Sequence, residues 1–132
     1  MLEKLKEVVK NSYAPYSNFH VGAILVTKDG REYTGVNIEN ASFGGTICAE
    51  RVAIVKAVSD GYKKGDFKEI YIINDSGKKG MPCYLCRQVF VEFFDENTEI
   101  YVYDLESFDK YTLDDLCPFP FTKEDLEWKV DL

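Results

Sequence analysis

The sequence predicts an α/β domain, a three-layer α/β/α sandwich with one mixed sheet covered by helices on both faces. Three observations predict it. An opening hairpin is followed by apolar runs of strand length that alternate with helical segments. The 132 residues suit a single domain, 1–132, with one core. No repeat, linker or low-complexity segment divides them.

Taken in order, Leu2, Leu5, Val8 and Val9 recur at helical spacing and stop before the turn-forming Ala14-Pro15-Tyr16-Ser17-Asn18, so the first element is an amphipathic helix. Val21 to Thr27 is apolar and β-prone, Lys28-Asp29-Gly30 is a turn, and Glu32 to Asn37 returns as the second arm of a hairpin. A polar loop, Glu39 to Gly45, leads to a helix from about Ile47 to Ser59, with Cys48 and Glu50 in its first turn and Gly61 as the stop signal. Glu69 to Asn74 is a strand. A Gly77 to Gly80 loop then leads to Pro82, a residue favoured at the first helical position, and the helix it opens runs to about Phe94. Glu99 to Tyr103 is another strand, and Leu113 to Leu132 carries a short turn, Pro118, Pro120 and a terminal helix from Lys123. The two cysteine-bearing helices are expected to start at neighbouring strand ends, where open α/β sheets place ligands.

With 45% hydrophobic, 30% charged and 14% aromatic residues, the chain is neither a disordered tail nor a disulfide miniprotein. A net charge of −7 provides no field that would draw a phosphate polyanion, so a nucleic-acid polymer is disfavoured as partner. The N-terminal run mixes charge into its apolar positions, which fits neither a signal peptide nor a membrane span, and the reading is cytoplasmic. There, Cys48, Cys83, Cys86 and Cys117 stay reduced, and metal ligation or catalysis becomes their natural use.

Cys83-Tyr84-Leu85-Cys86 taken alone is a zinc clip or a redox pair. The helix behind it favours thiolate through its macrodipole, and a third cysteine beside a glutamate is foreign to the redox design. Cys48-Ala49-Glu50 supplies that third thiolate and, two residues on, a carboxylate. Three protein ligands leave tetrahedral zinc one open position for a water that a nearby carboxylate can deprotonate. Glu50 is that carboxylate, or else a first-turn charge at a helix N-terminus. Three thiolates against one dication leave a negative charge, which two helix N-termini and an arginine donating to sulfur would offset. Arg51 is favoured for that role and Arg87 is left open. Cys117 as a fourth ligand would close the site into a structural module; without a ligand-spaced partner it reads as a buried small hydrophobe. His20 reads as structural or surface.

Cys48-Ala49-Glu50-Arg51 together with Pro82-Cys83-x-x-Cys86-Arg87-Gln88 resembles the small cytidine deaminase family, of the type that forms homotetramers. Ala14-Pro15-Tyr16-Ser17-Asn18-Phe19, Val21-Gly22-Ala23, Thr34-Gly35-x-Asn37-Ile38-Glu39-Asn40-Ala41-Ser42-Phe43 and Ala57-Val58-Ser59-x-Gly61 are similar to that family in order and spacing, and the resemblance covers nearly the whole chain. It implies zinc on Cys48, Cys83 and Cys86. It also implies hydroxide attack at C4 of cytosine, with Glu50 protonating N3 and then the departing ammonia. The implied activity is conversion of cytidine and 2′-deoxycytidine to the uridines in pyrimidine salvage. Asn37 and Glu39 are implied at the ribose, chiefly its 3′-hydroxyl, Phe19 beside the nucleoside, Ala49 among the substrate-binding residues, and Phe121 in a neighbouring subunit's pocket. Tyr84 and Leu85 depart from the small residues usual between the paired cysteines, Met81 from a usual serine, and Gly44-Gly45 loosens the loop before Cys48. The bulk of Tyr84 bears on the pocket wall. The rival readings are deamination of a related aminopyrimidine nucleoside of the blasticidin type, a structural zinc module, and a nucleic-acid editor, against which the acidic charge weighs.

Overall fold

The computed structural model describes residues 1–127. Among them, five strands form one sheet in the order β2-β1-β3-β4-β5: β1 Val21–Thr27, β2 Glu32–Val36, β3 Phe67–Asn74, β4 Glu99–Tyr103 and β5 Phe108–Tyr111. β1 pairs antiparallel with both β2 and β3, β3 with β4 is parallel, and β4 with β5 is antiparallel, so the sheet is mixed. The helices are α1 Leu2–Val9, α2 Ala49–Ser59, α3 Tyr84–Phe93 and the single turn α4 Leu113–Leu116. α3 is the crossover that a parallel pair requires.

Side chains alternate along the central strands and divide the core in two. Ala23 and Leu25, Ile70 and Ile72, Ile100 and Val102 face α2 and α3, where Ala53, Ile54, Ala57, Cys86 and Phe90 complete the packing. Ile24, Ile73 and Tyr103 face the other way, onto Leu5 of α1. Helices therefore cover both faces, as expected.

Because β2 and β3 both run antiparallel to β1, their carboxyl ends lie together: Gly22 pairs with Val36 on one side and with Ile73 on the other. α2 and α3 both start from that end. The seat of α2 depends on Gly35, where a Cβ would overlap the Ala49 carbonyl oxygen and crowd the Ala53 nitrogen. Only a glycine lets the first turn of α2 lie this close to β2.

Several boundaries differ from the sequence reading. α2 begins at Ala49, with Cys48 as its N-cap; α3 begins at Tyr84, with Cys83 as its N-cap. Pro82 thus precedes the helix instead of opening it, because Cys83 keeps an extended backbone (ψ 167°). β2 stops at Val36, and β3 starts two residues early, at Phe67. β5 was not expected: it is a mostly exposed edge strand without an apolar face. In place of a terminal helix from Lys123 the chain makes one 3₁₀ turn, Lys123–Leu126, and the rest of that expected helix lies outside the described residues.

Candidate metal centre and cavity

The N-caps of α2 and α3 bring their side chains to one point. Cys48 Sγ lies 3.7 Å from Cys83 Sγ, which lies 3.6 Å from Cys86 Sγ in the first turn of α3. All three sulfurs fall within 4.8 Å of one another, and among the described residues this is the only such group of potential ligands. Tetrahedral zinc with Zn–S bonds of about 2.3 Å requires sulfurs ~3.8 Å apart. The Cys48–Cys83 and Cys83–Cys86 separations match that spacing, so the cluster suits zinc. Cys117 is not part of it; it ends α4, its N–H bonded to Leu113.

The Arg51 guanidinium donates to Cys48 Sγ at 3.4 Å, while its buried Nε has no partner. A hydrogen bond from Cys86, joined by that from Arg51 and opposed by burial, pulls the Cys48 thiol down to about 5. The same shared hydrogen bond and burial push Cys86 far up. Arg87 makes no sulfur contact. Its Nε donates to Pro82 O (2.8 Å) and its Nη1 to Leu116 O (3.1 Å), tying the approach to Cys83 to the end of α4.

Beside the sulfurs is a cavity of about 190 Å³ whose wall includes Cys48, Cys83, Glu50, Phe19, Asn37 and Asn74. A larger groove of about 850 Å³ runs along β2 and α2, but it is open and holds no thiol, so chemistry and not size identifies the site. Glu50 is only 4% exposed. Burial first, and the Cys48 charge with it, push its carboxyl up to about 7, against hydrogen bonding from its own helix backbone. A carboxyl so placed exchanges a proton readily near neutral pH.

Asn37 and Glu39 occupy different surroundings. Asn37 is buried on the cavity wall, where its amide accepts from Val21 N–H (2.9 Å) and the Ser12 hydroxyl and donates to Phe19 O (2.7 Å). Glu39 borders an adjoining hollow with Tyr16, Phe43 and Thr46. Its carboxylate accepts from the N–H groups of Tyr16 (3.0 Å) and Ser17 (3.1 Å) and from the Ser17 hydroxyl, which hold it below the usual carboxylate range. Phe19 lines the cavity and is partly exposed. Ala49 is fully buried at the head of α2 and is not on the wall. Phe121 is 53% exposed and outside this cavity, its carbonyl held by Gln88 Nε2 at 2.8 Å.

Tyr84 does not shape the wall. It is 76% exposed, with the Arg87 guanidinium 4.5 Å from its ring centre, and Leu85 is likewise exposed. Met81 does line the cavity. Asn74, which the sequence reading did not single out, is buried at the end of β3. Its Oδ1 accepts from Ser76 N–H (2.9 Å) and its Nδ2 donates to Lys78 O (3.1 Å), wrapping the following loop around itself; a Cβ on Gly80 would overlap this amide.

The model of the cytidine and deoxycytidylate deaminase zinc-binding region matches residues 1–102. The chain is 39% identical to a cytidine deaminase of Sporosarcina psychrophila, covering 99% of this chain and 96% of that one. It is 44% identical to a probable cytidine deaminase of Dictyostelium discoideum, covering 98% and 90%. Its fold is similar to the crystal structure of cytidine deaminase from Burkholderia pseudomallei, with TM-score 0.86 and 39% identity over 91% of this chain and 95% of that one.

Proposed function

The chain belongs to the cytidine and deoxycytidylate deaminase family, and from that premise we propose that it is a zinc-dependent hydrolase converting cytidine and 2′-deoxycytidine, with water, to the uridines and ammonia. The observation that carries the reading is a buried carboxyl, Glu50, sharing one cavity with three sulfurs spaced for zinc. When bound, zinc supplies a Lewis acid that makes water a nucleophile near neutral pH. Glu50 would move two protons in turn: the first from the attacking water to N3 of the base, the second from the hydroxyl then carried by C4 to the amine, which leaves as ammonia as the C4 carbonyl forms. Its raised proton affinity suits both transfers. Arg51 offsets the surplus negative charge of three thiolates. Phe19 packs beside the nucleoside, and the Asn37 amide and Glu39 carboxylate meet the donor and acceptor sides of a ribose hydroxyl.

The chain acts as a single deaminase domain in a homotetramer, in the cytoplasm, within pyrimidine salvage. The oligomer is supported by a cavity too small to enclose a nucleoside, and by Phe119 and Phe121, 95% and 53% exposed, available to a neighbouring subunit. Among the described residues no helix is long and apolar enough to cross a membrane. The separation of Cys117 from the cluster counts against a closed four-cysteine module. The test is the loss of cytidine absorbance as uridine forms, with purified protein before and after zinc removal. Turnover that disappears with zinc and returns when it is restored is expected; a zinc-loaded protein inert toward cytidine would refute the proposal.

A further inference from the structure

We infer that Ser12 and His20 are positioning residues for the cavity-facing amide of Asn37, and through it for recognition of a ribose hydroxyl; the inference rests on the nucleoside reading above. Neither residue lines the cavity. Their connection to it follows from donors and acceptors alone. Val21 N–H can only donate, so the Asn37 atom 2.9 Å away is the oxygen; the Phe19 carbonyl can only accept, so the atom 2.7 Å away is the nitrogen. The amide is thus unable to turn over without losing both bonds. Its oxygen also meets the Ser12 hydroxyl, which must spend its proton there.

Ser12 Oγ then has only lone pairs to offer the His20 ring, 3.0 Å away, so His20 Nδ1 carries a hydrogen whether the imidazole is neutral or charged. The histidine is itself fixed. Its N–H donates to Asp75 Oδ1 (3.1 Å), its carbonyl accepts from Asp75 N–H (3.1 Å), and Nε2 faces the Asn18 side chain at 3.2 Å. A chain of hydrogen bonds therefore runs from His20 through Ser12 to Asn37. It leaves Asn37 one amide N–H, the donor available in the cavity to the lone pair of a sugar hydroxyl. An asparagine amide turns easily about its terminal torsion, and the second donor on its oxygen narrows that freedom.

The experiment compares kcat and KM for cytidine and 3′-deoxycytidine in the zinc-loaded parent and in Ser12→Ala, His20→Ala, Ser12→Thr and His20→Asn, with zinc content and melting temperature recorded. Ser12→Ala and His20→Ala are expected to raise KM for cytidine about 3- to 30-fold, the range for one misdirected hydrogen bond, with kcat within about twofold. KM for 3′-deoxycytidine should stay at the parent value. Ser12→Thr keeps the hydroxyl, and His20→Asn keeps an N–H near the place of Nδ1; both should recover most of the loss. An equal KM rise on both substrates, a fall in kcat alone, or unchanged KM in both alanine variants would overturn the inference and leave the deaminase reading standing. Should one alanine variant fail to fold, the other and its conservative partner decide. A zinc-loaded parent that turned over no cytidine would instead overturn both.

Discussion

On one side of the cavity, three sulfurs and a carboxyl come from the starts of two helices, Cys48 with Glu50 and Cys83 with Cys86. On the other side, Asn37 and Asn74, with Glu39 in the adjoining hollow, are held by hydrogen bonds to groups scattered from Ser12 to Lys78. The helices of the first side are secured by core packing through Ala53, Ile54 and Phe90, a cluster in which the Glu50 carboxyl takes no part. Glu50 is thus free to serve chemistry alone. On the second side the same atoms bind and build: Asn37 joins β1 to the Phe19 backbone, and Glu39 closes the 14–18 turn. Substitutions should therefore separate stability from turnover on the helix side and mix them on the loop side.

The largest effect that sharpens this contrast is removal of zinc. Chelation should abolish turnover and also lower the melting temperature, since an ion held by Cys48, Cys83 and Cys86 would join the starts of α2 and α3 and its binding energy would belong to the folded state. Zinc analysis, assay and thermal melting on one sample check it, and a melting temperature indifferent to zinc would break the link between the helices. Next comes Gly35→Val. It forces α2 off β2 and should cost at the upper end of about 1–3 kcal/mol in denaturant unfolding, more than any loss expected from Glu50→Gln. A variant as stable as the parent would mean that the close approach of α2 is not needed.

Asn37→Ala should show the mixing directly. It leaves Val21 N–H and Phe19 O unpaired near the cavity and is expected to cost about 1–3 kcal/mol of stability together with a raised KM. Loss of binding with unchanged stability would place Asn37 with Glu50 and erase the contrast. The smallest effect is that of Tyr84→Ala: at an exposed position off the cavity wall it should move stability by under ~0.5 kcal/mol and leave KM for cytidine unchanged. A KM shift would return Tyr84 to the substrate.

The same contrast explains what the sequence revealed. The metal side is legible because each motif puts its chemistry within four residues of a helix start, where residue type, spacing and dipole agree. Tyr84 misled because its bulk sits inside the motif; successive helical residues turn by about 100°, so Cys86 faces inward while Tyr84 and Leu85 face out. Asn37 and Glu39 were reached through resemblance, and their alternative reading as loop-capping residues describes half of what they do. Ser12 and His20 act through side-chain hydrogen bonds that tie the 12–20 segment to Asn37, and Asn74 through bonds to the loop that follows it; neither leaves a periodicity to read. The one local trace was an asparagine closing an apolar strand just before a glycine-bearing loop. In the fold, the alternating apolar strands gave the sheet and its layers, while β5, exposed and at an edge, carried no such pattern.

The central claim is that Glu50 moves the proton within a site whose fold and metal do not depend on it. Glu50→Gln keeps the volume and a carbonyl oxygen but cannot accept that proton. The account expects zinc content and melting temperature close to the parent's, with kcat on cytidine lower by about 10³- to 10⁴-fold or more. A zinc-loaded Glu50→Gln protein that converts cytidine to uridine within about tenfold of the parent rate would contradict it, since general acid-base help is worth at least about 10²-fold.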